Sequence, residues 1–255
     1  MLQNPVNRHY QIDPLFILIF SLSAILGRKR SFQKDAVRLA SGMGVPVVVT
    51  GGKYIPQSGP GLVVFNHYSR EGLSILFPVA GLASSIPTEM HWIMTGAWTF
   101  PGNPLRRPLR AVTKWVFKRI ACVYGFTLTP PMPPETADAP ARTEAVRRVF
   151  HHIKANPSTL VALAPEGRDF PGGVLGELPP GAGKFMLELS QRLEYIYPVG
   201  IYEGDGALRI NFGPPFNLGS IINSGSSSLE EKASRIAMQH IAALLPVRLA
   251  GQHKI

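Results

Sequence analysis

The sequence predicts one α/β domain with a central mixed sheet flanked by helices, preceded by an apolar helical segment. Three observations carry that prediction. Apolar runs at Val45-Pro46-Val47-Val48-Val49-Thr50, Gly61-Leu62-Val63-Val64-Phe65 and Thr159-Leu160-Val161-Ala162-Leu163 have the length and β-branched content of buried strands. Helical spacing separates them, over Leu105 to Ile120 and again through Ala145, Val146, Val149, Phe150 and Ile153 before Asn156-Pro157. At 255 residues and 45% hydrophobic content, the chain is long enough to bury one substantial core, and its length does not demand two.

The first element is Pro14 to Leu26, apolar on all sides and followed at once by Arg28-Lys29-Arg30, with Lys34 and Arg38 beyond. A helix of that length reaches about 20 Å, short of the roughly 30 Å hydrocarbon core of a bilayer. A secretory signal carries its positive charge ahead of the apolar run, whereas here the cluster follows it. The segment therefore predicts a helix that dips into an anionic membrane surface without spanning it, and residues 1–44 form an N-terminal membrane-associating segment ahead of a domain over 45–255. On this reading the protein is membrane-associated on the cytoplasmic face.

The run 61–65 ends on Asn66-His67-Tyr68-Ser69-Arg70-Glu71, and the run 159–163 ends on Ala164-Pro165-Glu166-Gly167-Arg168. Open α/β sheets bind ligands beyond the carboxyl ends of their strands, so a His and two Glu delivered there are candidates for chemistry. On a helix beginning near Asn66, Glu71 lies four residues after His67 and shares its face. A carboxylate on one ring nitrogen fixes the tautomer and leaves the other nitrogen to take a proton from an attacking hydroxyl. No nucleophilic Ser is needed where the substrate brings its own hydroxyl.

From Leu105 to Ile120 the basic residues Arg106, Arg110, Lys114 and Lys118 recur every four positions, with Leu105, Leu109, Val112, Val116 and Ile120 opposite. Trp98, Phe100, Trp115 and Phe117 lie in or just before this helix, a composition suited to a lipid interface. Pro130 to Pro140 is a Pro-rich connection, and Ser228 with Glu231 forms a capping box opening a helix of about 18 residues that ends near Pro246. Gly51-Gly52-Lys53 lacks the spacing of a phosphate-binding loop.

The net charge of +10 implies an anionic partner: a membrane surface, a nucleic acid or a phosphate-rich donor. No zinc-finger spacing, aromatic RNA-binding consensus or helix-turn-helix accompanies that charge, so no nucleic acid is expected as a partner. The single Cys122 excludes an internal disulfide and a Cys-based zinc site, and reads as a buried small apolar residue. His91, His151, His152 and His240 have no partners at metal-ligand spacing.

Taken in order, the motifs resemble those of the glycerophospholipid acyltransferases, the 1-acylglycerol-3-phosphate or lysophospholipid acyltransferase family. That family's blocks N-H-x-S-x-x-D, F-P-E-G-T-R and a short P-V strand are matched by Asn66-His67-Tyr68-Ser69, Pro165-Glu166-Gly167 and Tyr197-Pro198-Val199-Gly200-Ile201. A helix over Gly183 to Gln191 precedes the last, and Leu208 to Pro215 follows as the family's closing strand and G-x-P turn do. The resemblance spans Val45 to Phe216. It implies O-acyl transfer from a thioester, acyl-coenzyme A or acyl carrier protein, to a hydroxyl of a lysophospholipid-like or glycerol-phosphate-like acceptor. It further implies His67 as base, Glu71 as its orienter, and Asn66, Ser69, Pro165, Glu166, Gly167 and Arg168 around the substrate, with no cofactor and no metal.

Three positions depart from the pattern. The family acid lies five residues after the His, where this chain has Gly72; Arg168 follows Gly167 directly, without the family's Thr; and the second block, Val123 to Thr129, has no Arg. The last two bear on an acceptor phosphate and leave the acyl-transfer core better supported than a phosphate-bearing acceptor. A catalytically weakened lipid-binding relative and a basic nucleic-acid-binding protein are the alternative readings.

Overall fold

The computed structural model describes residues 10–99, 109–132, 136–219 and 229–253. Its elements run α1 Pro14–Ile25, α2 Phe32–Gly42, β1 Val47–Thr50, β2 Gly61–Phe65, α3 Leu76–Ser85, β3 Met90–Thr95 and α4 Leu109–Tyr124. They continue with β4 Thr127–Thr129, α5 Ala139–Ala155, β5 Leu160–Leu163, α6 Ala182–Ser190, β6 Tyr195–Gly204, β7 Ala207–Phe212 and α7 Leu229–Ala242. The expected mixed sheet is present, seven-stranded in the order β1-β7-β6-β2-β5-β3-β4, with β6 and β7 antiparallel and every other neighbouring pair parallel.

Burial explains why the central strands read as unbroken apolar runs. All five residues of β2 are buried, because parallel sheets of this kind are covered by helices on both faces. The register pairs Val64 with Leu163 of β5 and Phe65 with Val199 of β6. The carboxyl ends of β2 and β5 thus lie side by side, and the two polar strings that follow them meet there.

At the amino end, Asp13 caps α1 through a hydrogen bond from the Leu15 N–H at 2.8 Å, with Pro14 in the first turn where its missing N–H costs nothing. Phe16 is buried, and Phe20 stacks on Tyr124 of α4 at 5.8 Å between centroids. Both rings therefore turn toward the protein, since an aromatic ring on a helix that lies against α4 finds its partners there. Leu15, Ile17, Leu18, Leu22, Ile25 and Leu26 do remain exposed. Arg30 belongs to the structure as well: it pairs with buried Asp35, which also accepts from the Tyr124 hydroxyl at 2.8 Å, so burial and Asp35 together push the Tyr124 hydroxyl up. No helix among the described residues is long and apolar enough to cross a membrane.

Along α4 the buried face is Phe117, Ala121 and Val123, while Leu109, Val112 and Trp115 are exposed. Of the apolar stripe read from the sequence, Leu109 and Val112 are exposed and Val116 and Ile120 only half-buried, so the core takes neighbouring positions instead. Residues 105 to 108, with Arg106, fall outside the described residues, as does Ser228 of the expected capping box. Cys122 is exposed, a correction to its reading as a buried residue: it sits one position off the face that α4 packs inward.

His91 of β3 is buried, its Nε2 2.9 Å from Thr127 Oγ1 and its ring stacked on His152 of α5 at 3.8 Å between centroids. Burial, then the neighbouring His152, pushes its pKa down from 6.5 to about 4. The unfolded chain therefore takes up a proton below pH 6.5 that the folded chain refuses until about pH 4. Stability from this site is complete above the upper value and falls by about 3 kcal/mol across the window. Thermal melting between pH 7.5 and 4.5 should show that loss, and His91→Gln should flatten it; identical pH dependence in the two proteins would rule His91 out as the cause.

Candidate functional site

Beyond Phe65 the β2 chain leaves the sheet, and Asn66 carries the pairing one step further with its side chain. Its Oδ1 accepts from the Ile201 N–H at 2.7 Å and its Nδ2 donates to the Ile201 carbonyl at 2.8 Å, so a side-chain amide does the work of a backbone amide against β6. Asn66 is fully committed to β6 and buried. The next residue, His67, starts a loop that lasts until α3 begins at Leu76, with Gly72 at φ +75° within it.

Glu166, after β5, lies only 1% exposed. One carboxylate oxygen accepts from the His67 N–H at 2.7 Å and the other from the Gly176 N–H at 2.8 Å. Burial pushes this carboxyl above its ordinary range, and the two N–H groups pull the other way. The side chain is a clamp that joins the β2 loop, the start of the β5 loop and the segment around Gly176 further along it. The resemblance placed Glu166, Asn66 and Pro165 around the substrate; all three are buried here, Asn66 bonded to β6 and Glu166 to the His67 and Gly176 N–H groups.

The His67 ring reaches Asp169. Nδ1 is shut off from solvent and lies 2.6 Å from Asp169 Oδ1, off the line of an ideal N–H bond, and contact with His67 holds the Asp169 carboxyl below its usual range. Glu71 is exposed, and among the described residues only its backbone carbonyl is bonded, to Arg70. The expectation that Glu71 meets His67 is corrected for a physical reason. That contact needs a helix running from Asn66, and the segment is a loop.

Arg70 does not face the open site either. It forms a two-pronged pair with Glu203 at the end of β6, which also accepts from Tyr10 at 2.9 Å and Tyr68 at 3.3 Å. Burial raises the Glu203 carboxyl, but the donors outweigh it and hold the group below its ordinary value. Arg168 is exposed, its guanidinium 4.7 Å over the Phe170 ring, and Ser69 is half-buried, with Gly173 packed so closely against its carbonyl and Tyr68 that a Cβ would collide at 2.6 Å. Gly167 adopts φ +64° in the turn that follows β5.

Among the described residues no cluster of His, Cys, Asp and Glu could hold a metal ion. The arrangement is a histidine whose backbone is locked by Glu166, whose Nδ1 faces a carboxylate, and whose remaining ring edge is left to solvent. Sequence reasoning missed Asp169 and Glu203. The available signal for the first was a carboxylate directly after the Pro165 to Arg168 string.

No protein-family model matches the sequence, and no curated protein matches it. The fold does match a solved structure, the 1-acyl-sn-glycerophosphate (LPA) acyltransferase PlsC from Thermotoga maritima, with a TM-score of 0.54 and 16% identity over 90% of this chain and 88% of that one. At that identity the likeness speaks for the architecture, and the chain has the mixed α/β fold of that acyltransferase.

Proposed function

We propose that this protein is an O-acyltransferase that moves a fatty acyl group from a thioester, acyl-coenzyme A or acyl carrier protein, to a hydroxyl of a lysolipid-like acceptor. One observation carries the reading: an accessible histidine, its backbone clamped, stands at the joined carboxyl ends of β2 and β5 in a fold shared with an LPA acyltransferase. In the reaction His67 Nε2 takes the acceptor hydroxyl proton as the oxygen attacks the thioester carbonyl carbon. The C–S bond then breaks, and the departing thiolate takes the proton back from the imidazolium. The new ester forms without a covalent enzyme intermediate. The backbone N–H groups of His67 and Tyr68 are already bonded, to Glu166 and to the Asn66 carbonyl, so stabilisation of the oxyanion falls to other donors of the two loops.

The acceptor arrives from a bilayer on this reading. Leu18 of α1 is 56% exposed and Trp115 of α4 57%, these two helices pack on each other, and exposed Arg28, Lys34 and Lys114 carry positive charge around them. Trp98 is exposed too, and its neighbour Thr99 donates to the Met132 carbonyl, with Met132 packed beside Gly167 of the site loop. An apolar, basic face adjoining the site suits an interfacial enzyme on an anionic leaflet. Leu15, Leu18 and Leu22 replaced together by Asp should weaken binding to phosphatidylglycerol vesicles at least about tenfold, given the 1.5–3 kcal/mol typical of a buried leucine. Unchanged co-sedimentation would move the membrane contact elsewhere.

The activity is tested with the full chain in phosphatidylglycerol vesicles, supplied with palmitoyl-coenzyme A or palmitoyl carrier protein and with lysophospholipid or lyso-glycerolipid lacking phosphate. Free thiol should appear only with acceptor present, together with the doubly acylated lipid by mass spectrometry. Lipid binding with no thiol release from either donor would leave a lipid-binding relative without catalysis.

A further inference from the structure

We propose that Asp169, from the loop after β5, is the positioning residue of His67, so that the acid of the pair stands on the facing loop and not on the histidine's own. The inference rests on the acyl-transfer reading above and deepens it. Position 72, where the resembling family carries its acid, is a glycine in this chain with φ +75°, and Glu71 beside it is exposed with no side-chain bond among the described residues. Asp169 Oδ1 stands 2.6 Å from Nδ1 of His67 instead. Neither nearby arginine competes for it, since Arg70 is bound to Glu203 and Arg168 lies over Phe170.

The loop after β5 constrains His67 twice. Glu166 holds its backbone N–H, and Asp169, three residues further on, meets its ring. Backbone and ring are therefore set by one loop, and the histidine's own loop needs no acid. A carboxylate at Nδ1 keeps the proton on that nitrogen, presents the Nε2 lone pair to the acceptor hydroxyl, and stabilises the imidazolium formed as the proton transfers. The same loop position explains how Gly72 is tolerated.

The test is a series in the full chain, with palmitoyl-coenzyme A and a lysophospholipid in phosphatidylglycerol vesicles: Asp169→Asn, Asp169→Glu, Glu71→Gln and His67→Ala. Asp169→Asn should lower kcat at least about tenfold with KM for either substrate within about twofold and melting unchanged, because only the transition state uses the imidazolium. Asp169→Glu should recover most of the rate, since the Asp169 side chain is 64% exposed and a longer carboxylate has room to reach the ring. Glu71→Gln should behave as wild type. The proposal is overturned by a wild-type rate in Asp169→Asn, by equal losses in the Asn and Glu variants, or by a tenfold loss in Glu71→Gln. If His67→Ala is inactive while Asp169→Asn is fully active, only the positioning role fails; if both keep the wild-type rate, His67 is not the base and the positioning role falls with it; if the wild-type chain itself transfers no acyl group, the acyl-transfer reading fails.

Discussion

Replacing His67 by alanine is expected to cut acyl transfer about 10²- to 10⁴-fold, or 3–5 kcal/mol of barrier, with the fold unchanged. The structure supports the second half of that statement. The His67 side chain meets Asp169 and is otherwise open at one edge, so its removal leaves no cavity in the core. The bond that matters for folding, from the His67 N–H to Glu166, belongs to the backbone and survives. Steady-state rates beside a circular-dichroism melt check the outcome. A variant that keeps more than about a tenth of the wild-type rate would remove His67 as the base, whatever its melting temperature.

How much of this could be read from the chain depends on which contacts are local. The strands over 61–65 and 160–163 were legible because burial on both faces writes itself as an unbroken apolar run, and the polar strings after them mark where each strand stops. Their meeting point follows from the parallel pairing of β2 with β5, which adjacent carboxyl ends make plausible but no periodicity encodes. The histidine was found for that reason. Its acid was not, because Glu71 was chosen on helical spacing, and the chain at that point spends Asn66 on β6 and turns at Gly72 before any helix begins. Asp169 is brought to the ring only by the tertiary fold.

The β3 strand over Met90–Thr95 was missed for a related reason. His91 interrupts its apolar pattern, and the bond to Thr127 and the stack on His152 that make a buried histidine acceptable come from β4 and α5. In α1 and α4 the composition foretold helices that exceed what the core can cover, and the structure confirms a surplus of exposed apolar side chains on each. It also shows that part of the basic cluster behind α1 serves the interior, since Arg30 is tied to Asp35. Charge counted along a sequence does not separate cations that face a partner from those that close a network.

The Glu166 clamp predicts the second large effect, and a single atom decides it. In Glu166→Gln the shape of the side chain is kept, but one carboxylate oxygen becomes an NH₂ group that can only donate. Glu166 accepts from two backbone N–H groups, so the amide can satisfy one of them and must turn its own donors toward the other, within a site that excludes water. An unsatisfied buried donor costs about 1–3 kcal/mol, and the amide removes a charge-assisted bond as well, so melting should fall by several degrees. The rate should fall further than stability alone explains. If the amide oxygen stays with Gly176, the His67 N–H loses its acceptor and the ring shifts, and a displacement on the order of 1 Å at a reacting group costs about 10²-fold. Both losses should persist at a temperature where the variant is fully folded by circular dichroism. A Glu166→Gln protein that melts lower yet turns over at the wild-type rate would confine Glu166 to stability. One unchanged in both would mean that the loops are held together by something else.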